Sequence, residues 1–221
     1  MDTYVVGDIH GKRNIVEYFL KIARDCEDTQ VIFLGDFMDS FTLSVEDQLR
    51  CVQDVLVAME ETNGRVRSIL GNHEVSYLDM HNRCSGWNRE AQNYFDLIKG
   101  GVEDKFETYI WVDDILITHA GLSQKFLDST NYTVEAALED EYYWNYVGFA
   151  RGGYGNSGGI RWCDFNREFE PVEGLRQIFG HTGGRGIRKK GNDSWCIDCL
   201  DFENTCVYIH NNEIKEFHFD V

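Results

Sequence analysis

The chain has 221 residues, enough to bury one sizeable core, and it carries 21 Lys and Arg against 38 Asp and Glu, a formal net charge of −17 at pH 7. This excess of carboxylates argues against wrapping duplex nucleic acid and against docking on an anionic membrane, because both need clustered cations. Phosphorylated substrates stay open, since bound dications reverse the potential locally where carboxylates gather.

In chain order, short β-branched or aromatic runs at Thr3 to Val6, Gln30 to Leu34, Val66 to Leu70, Ile115 to Thr118 and Gln177 to Phe179 predict strands. Each stops at a Gly or at a residue that can ligate a metal. Between the first three lie helical patterns. Ile15, Phe19, Ile22 and Ala23 mark one apolar stripe, and Val45, Leu49, Val52, Leu56 and Met59 mark a longer one. Ser44 followed by Asp47 resembles a capping box, with Asp a shorter partner than Glu. Residues 1–70 therefore read βαβαβ, an α/β pattern. Beyond Glu74, helices are expected over Glu90 to Lys99 and Thr133 to Val147. Strands are expected over Trp195 to Asp198, Thr205 to His210 and Glu213 to Phe219, the last two joined by a tight hairpin at Asn211-Asn212.

No proline-rich or low-complexity linker divides the chain, so one domain over residues 1–221 is expected. Gly152 to Gly159, with five glycines in eight positions, is the one stretch that reads as flexible. Neither a secretory signal nor a membrane span is recognisable after Met1, and the expected location is cytoplasmic. Seven cysteines, an odd number, fit reduced thiols. Cys196-x-x-Cys199 has only Cys206 and His210 nearby to complete a zinc site, and a strand there would point its two sulfurs to opposite faces, which favours structural thiols.

The residues that carry chemistry follow the strands, where loops at carboxyl ends can face a ligand. Asp8 and His10 are separated by one residue, so an extended backbone would send both side chains to one side, with Gly7 and Gly11 allowing close approach. Asp36 follows the second run and, with two carboxylate oxygens, can bridge two ions. Asn72 offers an amide oxygen, and His119 and His181 offer imidazole nitrogens. Six such groups without a thiolate suit Mn, Fe, Zn or Co better than Mg or Cu(I). Singly, each has a plainer role as a turn former or a hydrogen-bonded loop residue. Together they are better explained by one dinuclear centre.

The segments Gly7-Asp8-Ile9-His10-Gly11, Gly35-Asp36-x-x-Asp39, Gly71-Asn72-His73-Glu74, His119-Ala120-Gly121 and Gly180-His181-Thr182 resemble the motif series of the calcineurin-like metallophosphoesterases. They are most similar to the phosphoprotein phosphatase group with its compact phage and bacterial members. The resemblance implies a β-sandwich flanked by helices and two divalent or trivalent ions, Mn first, with Fe, Zn or Co as substitutes. It places Asp8, His10 and Asp36 on one ion and Asp36, Asn72, His119 and His181 on the other. It further implies hydroxide held between the ions as attacking group, His73 as general acid, Asp39 as its orienting carboxylate, and Asn72 also touching substrate. Glu74 is read as structural.

One position departs from that pattern. Ser40 stands where the resemblance expects a phosphate-holding Arg, which leaves Arg161 and Arg151 as candidates to bind the anion. Arg161 is preferred, because Gly158-Gly159-Ile160-Arg161-Trp162 joins close-approach glycines to an aromatic that could fix the guanidinium. The resemblance implies phosphomonoester hydrolysis, on protein Ser/Thr or on a small molecule. Ser40 motivates a phosphodiester or dinucleoside polyphosphate as the alternative substrate. An inactive, metal-stabilised binding module is the reading of another class, and it expects gaps among the ligands that this sequence does not have. Oligomeric state is not legible.

Overall fold

The computed structural model describes residues 1–191 and 193–221. In chain order its elements are β1 (Asp2–Val6), α1 (Arg13–Asp25), β2 (Thr29–Phe33), α2 (Val45–Glu61), β3 (Val66–Ser68), α3 (Asn72–Leu78), α4 (Arg89–Phe95), α5 (Lys99–Lys105), β4 (Tyr109–Val112), β5 (Ile115–Thr118), α6 (Gln124–Thr130), α7 (Val134–Glu139), α8 (Glu141–Trp144), β6 (Arg176–Phe179), β7 (Arg188–Lys190), β8 (Ser194–Cys196), β9 (Thr205–His210) and β10 (Glu213–His218). Short 3-10 turns cover Met80–Asn82 and Phe149–Arg151. The chain divides into two compact units. One comprises Met1–Glu107 with Asn204–Val221, and the other Thr108–Glu203.

The first unit is built on a five-stranded sheet of order β10-β9-β1-β2-β3. The βαβαβ start forms as expected, with β1, β2 and β3 parallel. Such parallel strands are buried on both faces, and all five residues of β2 are buried. Helix α1 buries Ile15, Val16, Phe19, Leu20 and Ala23. At the start of α2, Ser44 Oγ accepts the Asp47 N–H at 3.1 Å. The short Asp47 side chain accepts from the Ser44 hydroxyl at 2.7 Å rather than reaching a backbone N–H, so the box is only half formed. The end of the chain returns to this sheet. Strands β9 and β10 form an antiparallel hairpin, and β9 pairs with β1. Asn211 and Asn212 turn it with φ of 49° and 63°, the left-handed geometry a two-residue hairpin requires.

The second unit holds a sheet of order β4-β5-β6-β8-β7, with β5, β6 and β8 parallel and both edge strands antiparallel. Leu116 of β5 packs with Leu122, Phe126, Leu127, Ala137, Leu138 and Ile160 in a core that α6 and α7 help to build. The fold class is thus mixed α/β, with two mixed sheets flanked by helices. No described helix is long and apolar enough to cross a membrane, and no disulfide is formed among the described residues.

Three expectations are corrected. The third strand ends at Ser68 rather than Leu70, because the Leu70 N–H turns to the Glu107 carbonyl at 2.8 Å. The span Thr133 to Val147 is two helices, broken at Asp140. Its carboxylate caps the second by accepting the Tyr142 N–H at 3.1 Å, while Tyr132 Oη donates to its other oxygen at 2.6 Å. Four of the five glycines of 152–159 serve close packing rather than flexibility, Gly152 being the exception with open space at its Cβ position. A Cβ at Gly153 would lie 1.8 Å from the Val147 carbonyl oxygen, and one at Gly159 would lie 1.9 Å from that of Tyr143. The fully buried Glu168 carboxylate ties this loop down, accepting N–H bonds from Ala150 at 2.7 Å, Gly158 at 2.9 Å and Asp164 at 3.1 Å.

Replacing Glu168 by Ala would leave three buried donors without their acceptor. A loss of at least about 2 kcal/mol in unfolding free energy is expected, read as a lower denaturant midpoint.

Candidate metal centre

In the first unit the loop after β2 is the hub. Asp36 and Asp39 adopt φ of 50° and 63°, and His10, after β1, adopts 43°. Left-handed backbone costs about 1–2 kcal/mol at a non-glycine residue, so something must hold it. Glu74, fully buried on α3, supplies that hold. Its carboxylate accepts the backbone N–H groups of Asp36 and Phe37 at 2.8 Å each and of Met38 at 3.2 Å. Burial, and next the Asp36 charge, push the Glu74 pKa up, while His73 and the N–H donors pull it back. Gly71 must lack a side chain, since its Cβ would fall 2.2 Å from Asp36 Oδ1.

The ligand atoms are oriented by these contacts. His10 Nδ1 lies 2.7 Å from the Met38 carbonyl oxygen, a contact that only an N–H can make. The proton therefore sits on Nδ1, and Nε2 presents its lone pair. Burial lowers the His10 pKa, against the attraction of Asp36, and keeps that ring neutral. Because φ at His10 is positive, the backbone there is not extended, and the loop rather than strand alternation aims the imidazole. Asn72 donates its amide nitrogen to Cys84 Sγ at 3.1 Å, and the thiol donates to the Asn72 carbonyl at 3.1 Å, which fixes the side-chain rotamer and the amide orientation. Asp8 and Asp36 are both buried. One ligand atom each from His10, Asp36 and His73 lies within 4.8 Å of the others.

His73 also belongs to a second arrangement. Its Nδ1 is 2.8 Å from Asp39 Oδ2, its backbone N–H donates to Asp36 Oδ1 at 3.0 Å, and its ring meets His10 edge-on at 5.1 Å. Burial is the largest single effect on its pKa and favours the neutral ring. The charges of Asp36, Asp39 and Glu74 together outweigh it and raise the value to about 9.

In the second unit His119 directly follows β5 and His181 lies two residues beyond β6. His119 Nε2 is 3.2 Å from His181 Nδ1. His181 has a φ of 67°, and its loop is braced by Cys196, whose thiol donates to the carbonyls of Gly180 at 3.4 Å and Thr182 at 3.6 Å. Cys196 is thus a structural thiol that packs beside a candidate ligand.

The two arginines have different surroundings. Arg161 is only 4% exposed, and its guanidinium donates to Asn145 Oδ1 at 3.2 Å and Thr108 Oγ1 at 2.8 Å beside the Trp144 ring. Burial lowers its pKa to about 10. Arg151 instead reaches the His181 carbonyl at 3.4 Å and Thr182 Oγ1 at 3.3 Å, and pairs with Asp164 at 3.1 Å with a third of its side chain exposed. It is Arg151 that adjoins a candidate metal ligand. Ser40, in the first unit, folds its own loop. Its Oγ accepts the Leu43 N–H at 3.1 Å and leaves Phe41 81% exposed.

The donor chemistry fits divalent metal ions. Buried carboxylates are costly without compensating charge, and imidazole nitrogens and an amide oxygen complete a hard-to-borderline donor set. Comparisons with known proteins place the chain in a class. The family model for calcineurin-like phosphoesterases matches residues 1–185, and the chain belongs to that family. It is a phosphoric ester hydrolase, and its family carries a dinuclear metal centre. Among solved structures it is similar to a cold-active protein tyrosine phosphatase, at 17% identity and a TM-score of 0.66, covering 97% of this chain and 75% of the other. It is likewise similar to a protein serine/threonine phosphatase from Saccharomyces cerevisiae resembling human PP5. There the identity is 13% and the TM-score 0.63, with 100% of this chain and 81% of the other covered.

In the metal-free protein the His73 ring should titrate near pH 9 by NMR rather than near 6.5. The folded value exceeds the unfolded one, so the stability contributed by the charged ring is fully present below pH 6.5 and is lost as pH rises through about 9. A His73→Ala variant, followed by denaturant unfolding across that window, should lack this decline.

Proposed function

We propose that the protein hydrolyses phosphomonoesters, with protein phosphoserine or phosphothreonine as one candidate substrate, and that His73 is its general acid. The observation that carries this reading is the His73–Asp39 contact of 2.8 Å within the cluster that holds His10 and Asp36. Asp8, His10, Asp36, Asn72, His119 and His181 are taken, on the family pattern, as the ligands of one dinuclear centre, with Mn the first choice. One family model runs across both compact units, which supports reading residues 1–221 as a single catalytic domain, and a cytoplasmic location suits its reduced thiols.

Two bound dications would neutralise the phosphoryl oxygens and activate a water near neutral pH. The chain's own residues do the rest. Asp39 holds the His73 ring by its Nδ1, so the proton to be given away sits on Nε2. An alkoxide leaves poorly unless protonated, and a charged ring paired with a carboxylate is the form able to donate. Arg151 replaces Arg161 as the preferred anion contact, because its partly exposed guanidinium adjoins His181 while that of Arg161 is buried against Asn145 and Thr108.

A second reading rests on Ser40, which closes a turn where a phosphate-holding arginine is expected. A diester or a dinucleoside polyphosphate carries less charge on the attacked phosphorus and needs less arginine. Rates on mono- and bis-nitrophenyl phosphate and on diadenosine tetraphosphate distinguish the two, and a strong monoester preference removes the second.

Asp36→Asn should bind fewer metal ions per chain than the parent protein, by elemental analysis. His73→Ala should load metal normally and lose roughly 10²-fold or more in turnover of an alkyl phosphate, with a smaller loss on an aryl phosphate. Equal turnover of both esters by variant and parent would remove His73 from the role.

A further inference from the structure

The dyad of His73 and Asp39 has a third member that no motif marks. Tyr77 lies four residues after His73 on α3, so the two side chains project from one face of that helix. Its phenol donates a hydrogen bond to Asp39 Oδ1, while Asp39 Oδ2 faces His73 Nδ1 at 2.8 Å. Each carboxylate oxygen thus has its own partner from the same helix, and a carboxylate held at both oxygens cannot rotate about its Cβ–Cγ bond. The backbone is equally constrained. Asp39 is 2% exposed with φ of 63°, and a Cβ at Gly86 would lie 2.7 Å from the Asp39 Cβ.

Tyr77 is itself fixed on every side. It is 3% exposed, its ring stacks on Phe95 at 5.2 Å and lies 6.4 Å from Trp87, and its carbonyl accepts Gln92 Nε2 at 2.9 Å. The Asn88 N–H donates to the phenol oxygen at 3.4 Å, so the single phenol proton is directed to Asp39. A buried tyrosine needs some partner for its hydroxyl, and here that partner is the carboxylate that orients the candidate acid.

We propose that Tyr77 is a positioning residue for leaving-group protonation, its hydroxyl locking the Asp39 carboxylate and thereby the orientation of the His73 ring. The proposal rests on the reading of His73 as general acid. Removing the hydroxyl frees Asp39 to turn, and the ring it holds loses its alignment with the leaving oxygen. The metal ligands are untouched by this change. The effect should therefore grow as the leaving group becomes poorer.

The test uses metal-loaded Tyr77→Phe, which keeps the ring between Phe95 and Trp87. Its kcat and KM are measured on p-nitrophenyl phosphate and on glycerol 2-phosphate, beside the parent and His73→Ala, with metal content and melting temperature followed. The expected result is a fall in kcat on the alkyl ester of roughly tenfold, a change under about threefold on the aryl ester, and unchanged KM and metal content. A loss equal on both esters, no loss, or loss of metal or of fold marks Tyr77 as merely structural and overturns the proposal. The two ideas fail differently. Selective loss in His73→Ala without selective loss in Tyr77→Phe overturns the role of Tyr77 alone. Turnover of both esters by His73→Ala equal to that of the parent overturns the acid reading and this proposal with it.

Discussion

Three backbone N–H bonds to the buried Glu74 carboxylate hold the cluster of His10, Asp36 and His73 together. They keep residues 36–38 in a conformation that Asp36 would otherwise abandon, because its left-handed φ opposes the preference of an L-residue. The same short segment fixes His10 through the Met38 carbonyl and receives the His73 N–H on Asp36. Rigid, buried, hydrogen-bonded backbone aims side chains that are short and cannot adjust themselves, and the local cost of the strained φ values is offset by charge-assisted bonds to Glu74.

The histidines divide the chemistry by their contacts. His10 is paired with a carbonyl, is driven neutral by burial, and presents a lone pair. His73 is paired with a carboxylate, is held charged by three neighbouring acids, and presents a proton. Two copies of one side chain are thereby set to opposite states, neutral and charged, by burial and by what lies against Nδ1. In the second unit Arg161 and Arg151 diverge for a related reason. The former donates from its two terminal nitrogens to Asn145 and Thr108 beside Trp144, and the latter keeps its guanidinium partly in solvent beside His181 and Thr182. Only the second keeps a substantial part of its guanidinium exposed.

The loops that carry the candidate ligands were legible because they follow apolar runs whose period and length are local properties. The parallel βαβαβ start, the Ser44 cap and the Asn211-Asn212 hairpin were legible for the same reason: each depends on residues within a few positions of one another. The role of Glu74 as backbone clamp was not. Its partners lie 36 to 38 residues away, and nothing in the local pattern names them. The burial of Arg161 was not legible on similar grounds, since Thr108, which accepts from it, is 53 residues distant. The glycine-rich stretch misled in the opposite direction. Composition cannot tell a glycine that needs freedom from one that makes room, and Gly153 and Gly159 make room for carbonyls.

By itself the sequence determined which side chains can ligate metal and donate protons, and the order in which strands deliver them, because residue chemistry and hydrophobic period are written along the chain. The tertiary structure decided which nitrogen His10 and His73 present, which arginine stays partly exposed, and that the chain's last two strands pair beside its first. Those outcomes depend on contacts between residues far apart in sequence, and only the folded backbone brings such partners to within hydrogen-bonding distance.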